Sequence, residues 1–328
     1  AEREVAVLRA FSKSANIVNL RAAERKVDRQ RRLYYYFLVM SYCQENVLDI
    51  MRAAKRRGAS GIARPIVLQI MRDTCCGVLQ MHLATESMAH RDIKVENVLF
   101  DEYSNRYQLC DFGSATSTFE NWGMCKSQER REAMDDIESN TTVEYRAPEQ
   151  CDFLLSYRVD QRVDAWALGC MMFHLMYFHT PFENGTKLQV MNVDYKFPPL
   201  SSSKQSDINQ LISKLLVADP DHRMTVGQLL VQLCQLGNFQ EPPEVAVCKQ
   251  KGMYASVGGA TKEEGTGGNG KKKSKKSKKK KKDKKKKKKK KKKEEVEVEV
   301  EQREEANGFD GDNGIEEGNG NTKGGWGN

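Results

Sequence analysis

The run His90-Arg91-Asp92-Ile93-Lys94-Val95-Glu96-Asn97 sets a carboxylate, an ammonium and an amide within six residues, from Asp92 to Asn97. Fourteen residues after Asn97 comes Asp111-Phe112-Gly113, and further on Ala147-Pro148-Glu149. Asp92 can accept the hydrogen bond of an incoming hydroxyl and later its proton. Asn97 and Asp111 are hard oxygen donors, suited to Mg²⁺ that bridges phosphates. Lys94, two positions beyond Asp92, lies on the same side of an extended loop and can set its ammonium on a γ-phosphate. Together these types suit phosphoryl transfer from ATP with Mg²⁺, where positioning and charge neutralisation dominate. The alternative, two unrelated aspartates in surface turns, leaves the order and spacing of the pieces without a cause.

Elements that could hold these residues follow from the apolar pattern. In Arg3–Phe11, Val5, Leu8 and Phe11 recur at helical spacing. Tyr34–Val39 is a dense aromatic and β-branched run, which predicts a buried strand. From Pro65, a residue suited to a first helical turn, Ile66, Ile70, Met71, Val78 and Met81 form the apolar face of a long helix. Short runs at Val98–Phe100 and Tyr107–Leu109 predict a hairpin. Val163–Phe178 is apolar almost all round, as a helix buried in mid-domain would be. Ile208–Leu216 and Val226–Leu236 are amphipathic helices. One strand region followed by many helices predicts a small sheet-bearing lobe and a larger helical lobe.

Composition divides the chain. Residues 1–240 are mixed and aromatic-bearing enough for one sizeable core, whereas 241–328 are dominated by Gly, Lys and Glu and are expected to be disordered. The formal net charge of +9 is a property of that tail. Lys271–Lys293 holds 20 Lys, while Glu294–Asn328 carries 11 acids, so residues 1–270 are close to neutral. The nine cysteines show no paired C-x-x-C spacing and read as reduced, buried thiols rather than a metal site. No apolar run is long enough to span a bilayer.

The motif series resembles the signature of eukaryotic Ser/Thr protein kinases: H-R-D-x-K-x-x-N, D-F-G and A-P-E in order. Lys94 is the mark of the Ser/Thr class. The resemblance implies an α+β, protein-kinase-like bilobal fold with an incomplete N-terminal lobe and a mainly helical C-terminal lobe. It makes Asp92, Lys94, Asn97, Asp111 and Thr142 the catalytic set, with Asn97 and Asp111 as metal ligands. Thr142 stands five before Ala147, where such enzymes tie the substrate-binding loop to Asp92 and Lys94. Asp164, in Asp164-Ala165-Trp166-Ala167-Leu168-Gly169, would hold the catalytic-loop backbone, and Arg223 would pair with Glu149. Arg91 would meet a phosphate on the activation segment, where Ser114, Thr116, Ser117, Thr118, Ser127, Ser139 and Thr141 are the available hydroxyls, each of which taken singly reads as a solvated loop hydroxyl. His82, His174, His179 and His222 read as ordinary core or surface residues.

Finer details are similar to the Numb-associated family, which includes the adaptor-associated and cyclin-G-associated kinases. These are Leu68-Gln69-Ile70 with Asp73-Thr74-Cys75, Lys94–Leu99, Leu109–Thr116, Thr141–Glu149 and Trp166–Cys170. By that resemblance Glu4 is the glutamate of the N-lobe helix, Met40 the gatekeeper, and Ser41-Tyr42-Cys43 the hinge whose Cys43 backbone bonds adenine. It also implies a protein substrate with Ser or Thr, of clathrin-adaptor type, in endocytosis.

One departure matters. Only three residues precede Glu4, so the glycine-rich loop and the lysine that pairs with Glu4 are expected upstream of the sequence in hand. If that lysine is lacking altogether, the alternative is a pseudokinase scaffold that binds nucleotide without transfer. Asp92, Asn97 and Asp111 together argue against it. The Lys271–Lys293 block could bind anionic membrane or act as a nuclear-localisation patch, giving a cytoplasmic, peripheral-membrane or nuclear location. It lacks interleaved aromatics, so sequence-specific nucleic-acid binding is not expected. A low-complexity expansion that folds back on the acidic segment 294–305 is the plain alternative.

Overall fold

The computed structural model describes residues 2–121, 127–152, 157–183, 186–199 and 206–251. Helix α1 (Glu2–Ala10) turns Val7 and Leu8 into the core, and strands β1 (Leu20–Asp28) and β2 (Leu33–Met40) follow as an antiparallel hairpin, with Asp28 opposite Leu33. The two-residue strand β3 (Glu45–Asn46) leads into α2 (Val47–Arg56), whose first turn is capped by the Asn46 side chain accepting from the Asp49 amide at 2.9 Å. Helix α3 (Arg64–Leu83) starts with Pro65 in its first turn and is buried along most of its length.

The hairpin β4 (Val98–Asp101) and β5 (Arg106–Leu109) joins β3 in a three-stranded antiparallel sheet, with Val98 opposite Leu109. Its turn is fixed by Asp101, whose carboxylate accepts from the Tyr103 amide at 3.1 Å and the Ser104 hydroxyl at 2.7 Å. A short pairing of β6 (Glu120–Asn121) with β7 (Arg158–Val159) spans helices α4 (Ser127–Asn140) and α5 (Pro148–Cys151). The helical part continues with α6 (Arg162–Tyr177), α7 (Lys187–Asn192), α8 (Ser206–Leu215), α9 (Val226–Gly237) and α10 (Pro243–Gln250).

Helix α6 is the axis of the helical lobe. Trp166, Leu168, Cys170 to Phe173 and Leu175 are all buried, as its uniformly apolar sequence predicts. Gly169 lets α8 close on it: a Cβ there would lie 2.9 Å from both Leu215 Cβ and Leu216 Cδ2. Helix α9 begins at a reciprocal cap in which Thr225 and Gln228 each bond the other's amide. The α+β architecture with small sheets and a mainly helical lobe is the one expected.

Two expectations need correction. The run Tyr34–Val39 does form a strand, but an exposed one, with Tyr34 60% and Phe37 52% accessible. β2 pairs only with β1 among the described residues, and its rings lean on cations of that strand instead of entering a core. Arg25 lies 5.2 Å from the Tyr34 ring centroid, and Lys26 5.3 Å from that of Phe37. The folded part also runs past residue 240: α10 buries Val245 and Cys248 against α3 and α9. The short apolar run Val245–Cys248 suffices because it lands on a surface that α3 and α9 already form. The expected disorder beyond residue 251, the poly-Lys run and the acidic segment all lie outside the described residues. Among the described residues no helix is long and apolar enough to cross a membrane.

Candidate active site

The loop from His90 to Asn97 is held by one carboxylate from below. Asp164, in the first turn of α6 and fully buried, accepts the His90 and Arg91 amides at 2.9 Å each. It also meets His82 Nε2 at 2.8 Å. Burial alone would push the Asp164 carboxyl upward; the bonds from His82 and from these amides outweigh it, and the group stays low and ionised. Those bonds hold Arg91 at φ 69°, in the left-handed region that disfavours a long side chain, while Asp111 sits at φ 61° in the same region, which Asp tolerates. Phe112, wholly buried, packs its ring edge-on to His90 with centroids 5.1 Å apart, which joins the two motifs.

Above this base four of the expected site residues bond one another. Asp92 Oδ2 accepts from Lys94 Nζ at 2.7 Å and from Asn97 Nδ2 at 3.1 Å. Asp92 Oδ1 accepts from the Thr142 hydroxyl at 2.6 Å, and Thr142 Oγ1 accepts from Lys94 Nζ at 2.9 Å. Asn97 Nδ2 also donates to the Asp92 carbonyl at 2.8 Å, which turns the Asn97 side-chain oxygen away from that contact. Burial raises the Asp92 carboxyl, but the bonds from Lys94 and Thr142 more than compensate and hold it below the usual carboxylate range. Asp92 is therefore ionised at neutral pH and aimed by three donors.

Asp111 follows directly, because the Cys110 amide donates to the Asn97 carbonyl at 3.0 Å. Its carboxylate is exposed, and among the described residues Oδ1 accepts the long Gly113 amide bond of 3.3 Å. Glu4, on α1, is half-buried; burial, and then the nearby Asp111 charge, pushes its carboxyl upward. Met40 ends β2, Tyr42 is 77% exposed, and the Cys43 thiol donates to Gln108 Oε1 at 3.8 Å. Cys43 thus touches β5 through Gln108, and no bond joins Met40 to Cys43 with the Asp92 cluster among the described residues.

Away from the loop, Glu149 and Arg223 form a fully buried bidentate pair at 2.6 and 2.8 Å, with the guanidinium 5.2 Å from the Trp166 ring centroid. Two contacts were not legible beforehand. His82, read as an ordinary histidine, is a partner of Asp164; nothing in its sequence neighbourhood signals this. Arg91, expected to face a phosphate, instead donates from Nη1 to Asp136 Oδ2 at 2.5 Å and from Nε to the Ser114 carbonyl at 2.7 Å.

A buried loop carboxylate aimed by an ammonium, an amide and a hydroxyl, with an exposed carboxylate on the neighbouring motif, is the arrangement that the kinase signature predicts. The protein kinase domain model matches residues 1–233, and the chain belongs to that family. It is 40% identical over 237 residues to a probable serine/threonine-protein kinase of Dictyostelium discoideum, covering 72% of this chain and 29% of that protein. A second Dictyostelium protein of the same description is 35% identical over 239 residues, covering 73% of this chain and 21% of its own. Actin-regulating kinase 1 of Saccharomyces cerevisiae is 37% identical over 210 residues, covering 64% of this chain and 32% of its own. The chain spans under a third of the length of these curated relatives.

Proposed function

We propose that the protein transfers the γ-phosphoryl group of ATP to Ser or Thr hydroxyls of a protein substrate. The observation that carries this reading is the ionised Asp92 carboxylate, fixed by Lys94, Asn97 and Thr142. Asp92 orients the substrate hydroxyl and takes its proton as the new O–P bond forms, while the bond to the leaving ADP oxygen breaks. Lys94 shares the charge of the γ-phosphate, and Thr142 keeps the substrate-binding loop against Asp92. The family resemblance assigns Glu4, Met40, Tyr42 and Cys43 to the nucleotide side, with the Cys43 backbone on adenine.

The donor set fits Mg²⁺. The exposed Asp111 carboxylate and the Asn97 side-chain oxygen would hold it, a number of protein ligands that suits an ion also bound by phosphates. The ion would neutralise charge on the nucleotide. Among the described residues no cluster of three or more His, Cys, Asp or Glu could hold a metal by itself.

The test is transfer from labelled ATP by the complete protein, followed by phosphoamino-acid analysis. Label on phosphoserine or phosphothreonine, dependent on Mg²⁺, supports the reading. Nucleotide binding without transfer makes the protein a pseudokinase scaffold, and label on phosphotyrosine contradicts the Ser/Thr assignment.

Placement in the Numb-associated branch rests on the residue runs Lys94–Leu99 and Thr141–Glu149, and a clathrin-adaptor substrate in endocytosis rests on that placement. Transfer to a threonine of an adaptor medium chain checks it. A cytoplasmic site at anionic membrane rests on the charge of Lys271–Lys293. Vesicle binding that survives deletion of that block removes this part of the proposal.

A further inference from the structure

The segment between Asp111 and Glu149 contains α4, and this segment is tied to both Arg91 and Asp92 of the catalytic loop, to the first by α4 and to the second by Thr142 just after it. At one point Arg91, with its side chain only 7% exposed, donates to Asp136 Oδ2 at 2.5 Å. The other Asp136 oxygen accepts from Asn140 Nδ2 at 3.0 Å, and the same amide bonds the Asp136 carbonyl at 2.8 Å, so the carboxylate is held in one orientation. At its C-terminal end, α4 is clamped by Arg146, which donates to Thr141 Oγ1 at 2.7 Å and to the Glu138 carbonyl at 3.0 Å. The next residue, Thr142, bonds Asp92. Ile137, between these ties, is buried. Arg91 and Asp92, adjacent in the chain, are therefore both fixed by one helix and the residue that follows it closely.

We propose that Asp136 is a positioning residue for phosphoryl transfer: its carboxylate is the built-in counter-anion of Arg91 and orders the activation segment without phosphorylation. The proposal rests on the phosphotransfer reading of Asp92. Charge at the site favours it over a phosphate. Arg91 Nη2 is buried without a hydrogen-bond partner, but it faces surroundings already rich in negative charge. The cavity of about 410 Å³ beside it is lined by Arg3 and Arg91 against Glu129, Glu132, Asp136 and Asp160. A phosphate on Thr116 or Thr118, which reach the same cavity, would add a charge of about −1.5 to −2 beside Glu129, Glu132 and Asp136, while Arg158 and Arg162 are already engaged by Asp160. Asp136 supplies one negative charge at hydrogen-bond distance with no such surplus.

The experiment uses the complete protein, treated with phosphatase and shown by intact mass to carry no phosphate. Wild type is expected to keep its rate. Asp136→Asn is expected to lose about tenfold in kcat with the KM for ATP little changed, and Asp136→Glu to recover most of the loss. Backbone amide exchange across 112–118 and 127–146 should speed up in Asp136→Asn, a readout that needs no catalysis. Loss of wild-type activity on phosphatase treatment overturns the proposal, as does an Asp136→Asn protein with wild-type kcat and unchanged exchange. Asp92→Asn is run in parallel: if it transfers phosphate at the wild-type rate, the reading of Asp92 fails, while the exchange data still decide whether Asp136 orders the segment.

Discussion

Thr142 and Asp92, fifty residues apart in the chain, share a hydrogen bond of 2.6 Å, and Lys94 closes a triangle by bonding both. The hydroxyl is at once donor to the carboxylate and acceptor from the ammonium, a role that serine can fill and alanine cannot. Thr142→Ala is expected to lower kcat by roughly tenfold to a hundredfold, in line with removal of one positioning contact. Thr142→Ser should retain most of the rate. Steady-state transfer by the complete protein checks both; equal rates for Ala and wild type would remove Thr142 from the site.

The Arg223–Glu149 pair makes a prediction about stability instead of rate. Arg223→Ala strips the guanidinium from a carboxylate with no exposure to water, which costs about 3–5 kcal/mol. For a domain of this size that lowers Tm by roughly 10 °C. Thermal melting measures it, and a shift of only a degree or two would show that the pair is not holding α5 to the helical lobe.

A different part of the account concerns pH. His90 and His174 are both held below the ordinary imidazole value, in each case by burial first, although Asp164 near His90 and Glu96 and Glu183 near His174 oppose it. The unfolded chain protonates these rings near pH 6.5, where the folded chain does not. Their contribution to stability is thus complete above about pH 6.5 and declines as pH falls below it. Asp92 and Asp164 act in a lower window: their folded values are depressed, so their contribution is present above about pH 4 and lost as pH falls through those values. Melting temperature should decline from pH 7 to pH 5, and His174→Gln should flatten that slope. A level profile over this range would contradict the buried-neutral state of both rings.

How much of this was legible beforehand depends on whether a signal was local. The Asp92, Lys94 and Asn97 cluster was, because these residues lie within six positions and the motif sets their types. Helices α3 and α6 were too, since a long apolar stripe or an all-apolar run has one reading. Strand β1 was not: Leu20–Asp28 has no polar–apolar alternation, and its side-chain contacts with β2 are Arg25 and Lys26 lying over rings. The exposure of β2 was misjudged for the same reason. Aromatic content reports strand propensity, whereas burial depends on what covers the face. Helix α4 went unread because half of Ser127–Asn140 is charged and its tie to the catalytic loop, Asp136 to Arg91, crosses 45 residues. His82 and Asp164, 82 residues apart, are a further case.

The most direct test of the central claim is the rate of phosphate transfer from MgATP to protein Ser or Thr by the complete protein carrying Asp92→Asn. That change keeps the size of the side chain and removes the anion that Lys94 and Thr142 hold. The account predicts a fall in kcat of about a hundredfold or more with ATP binding and melting temperature largely kept. Transfer at the wild-type rate would contradict it, and would mean that the Asp92–Lys94–Thr142 triangle is scaffolding and not the reacting centre.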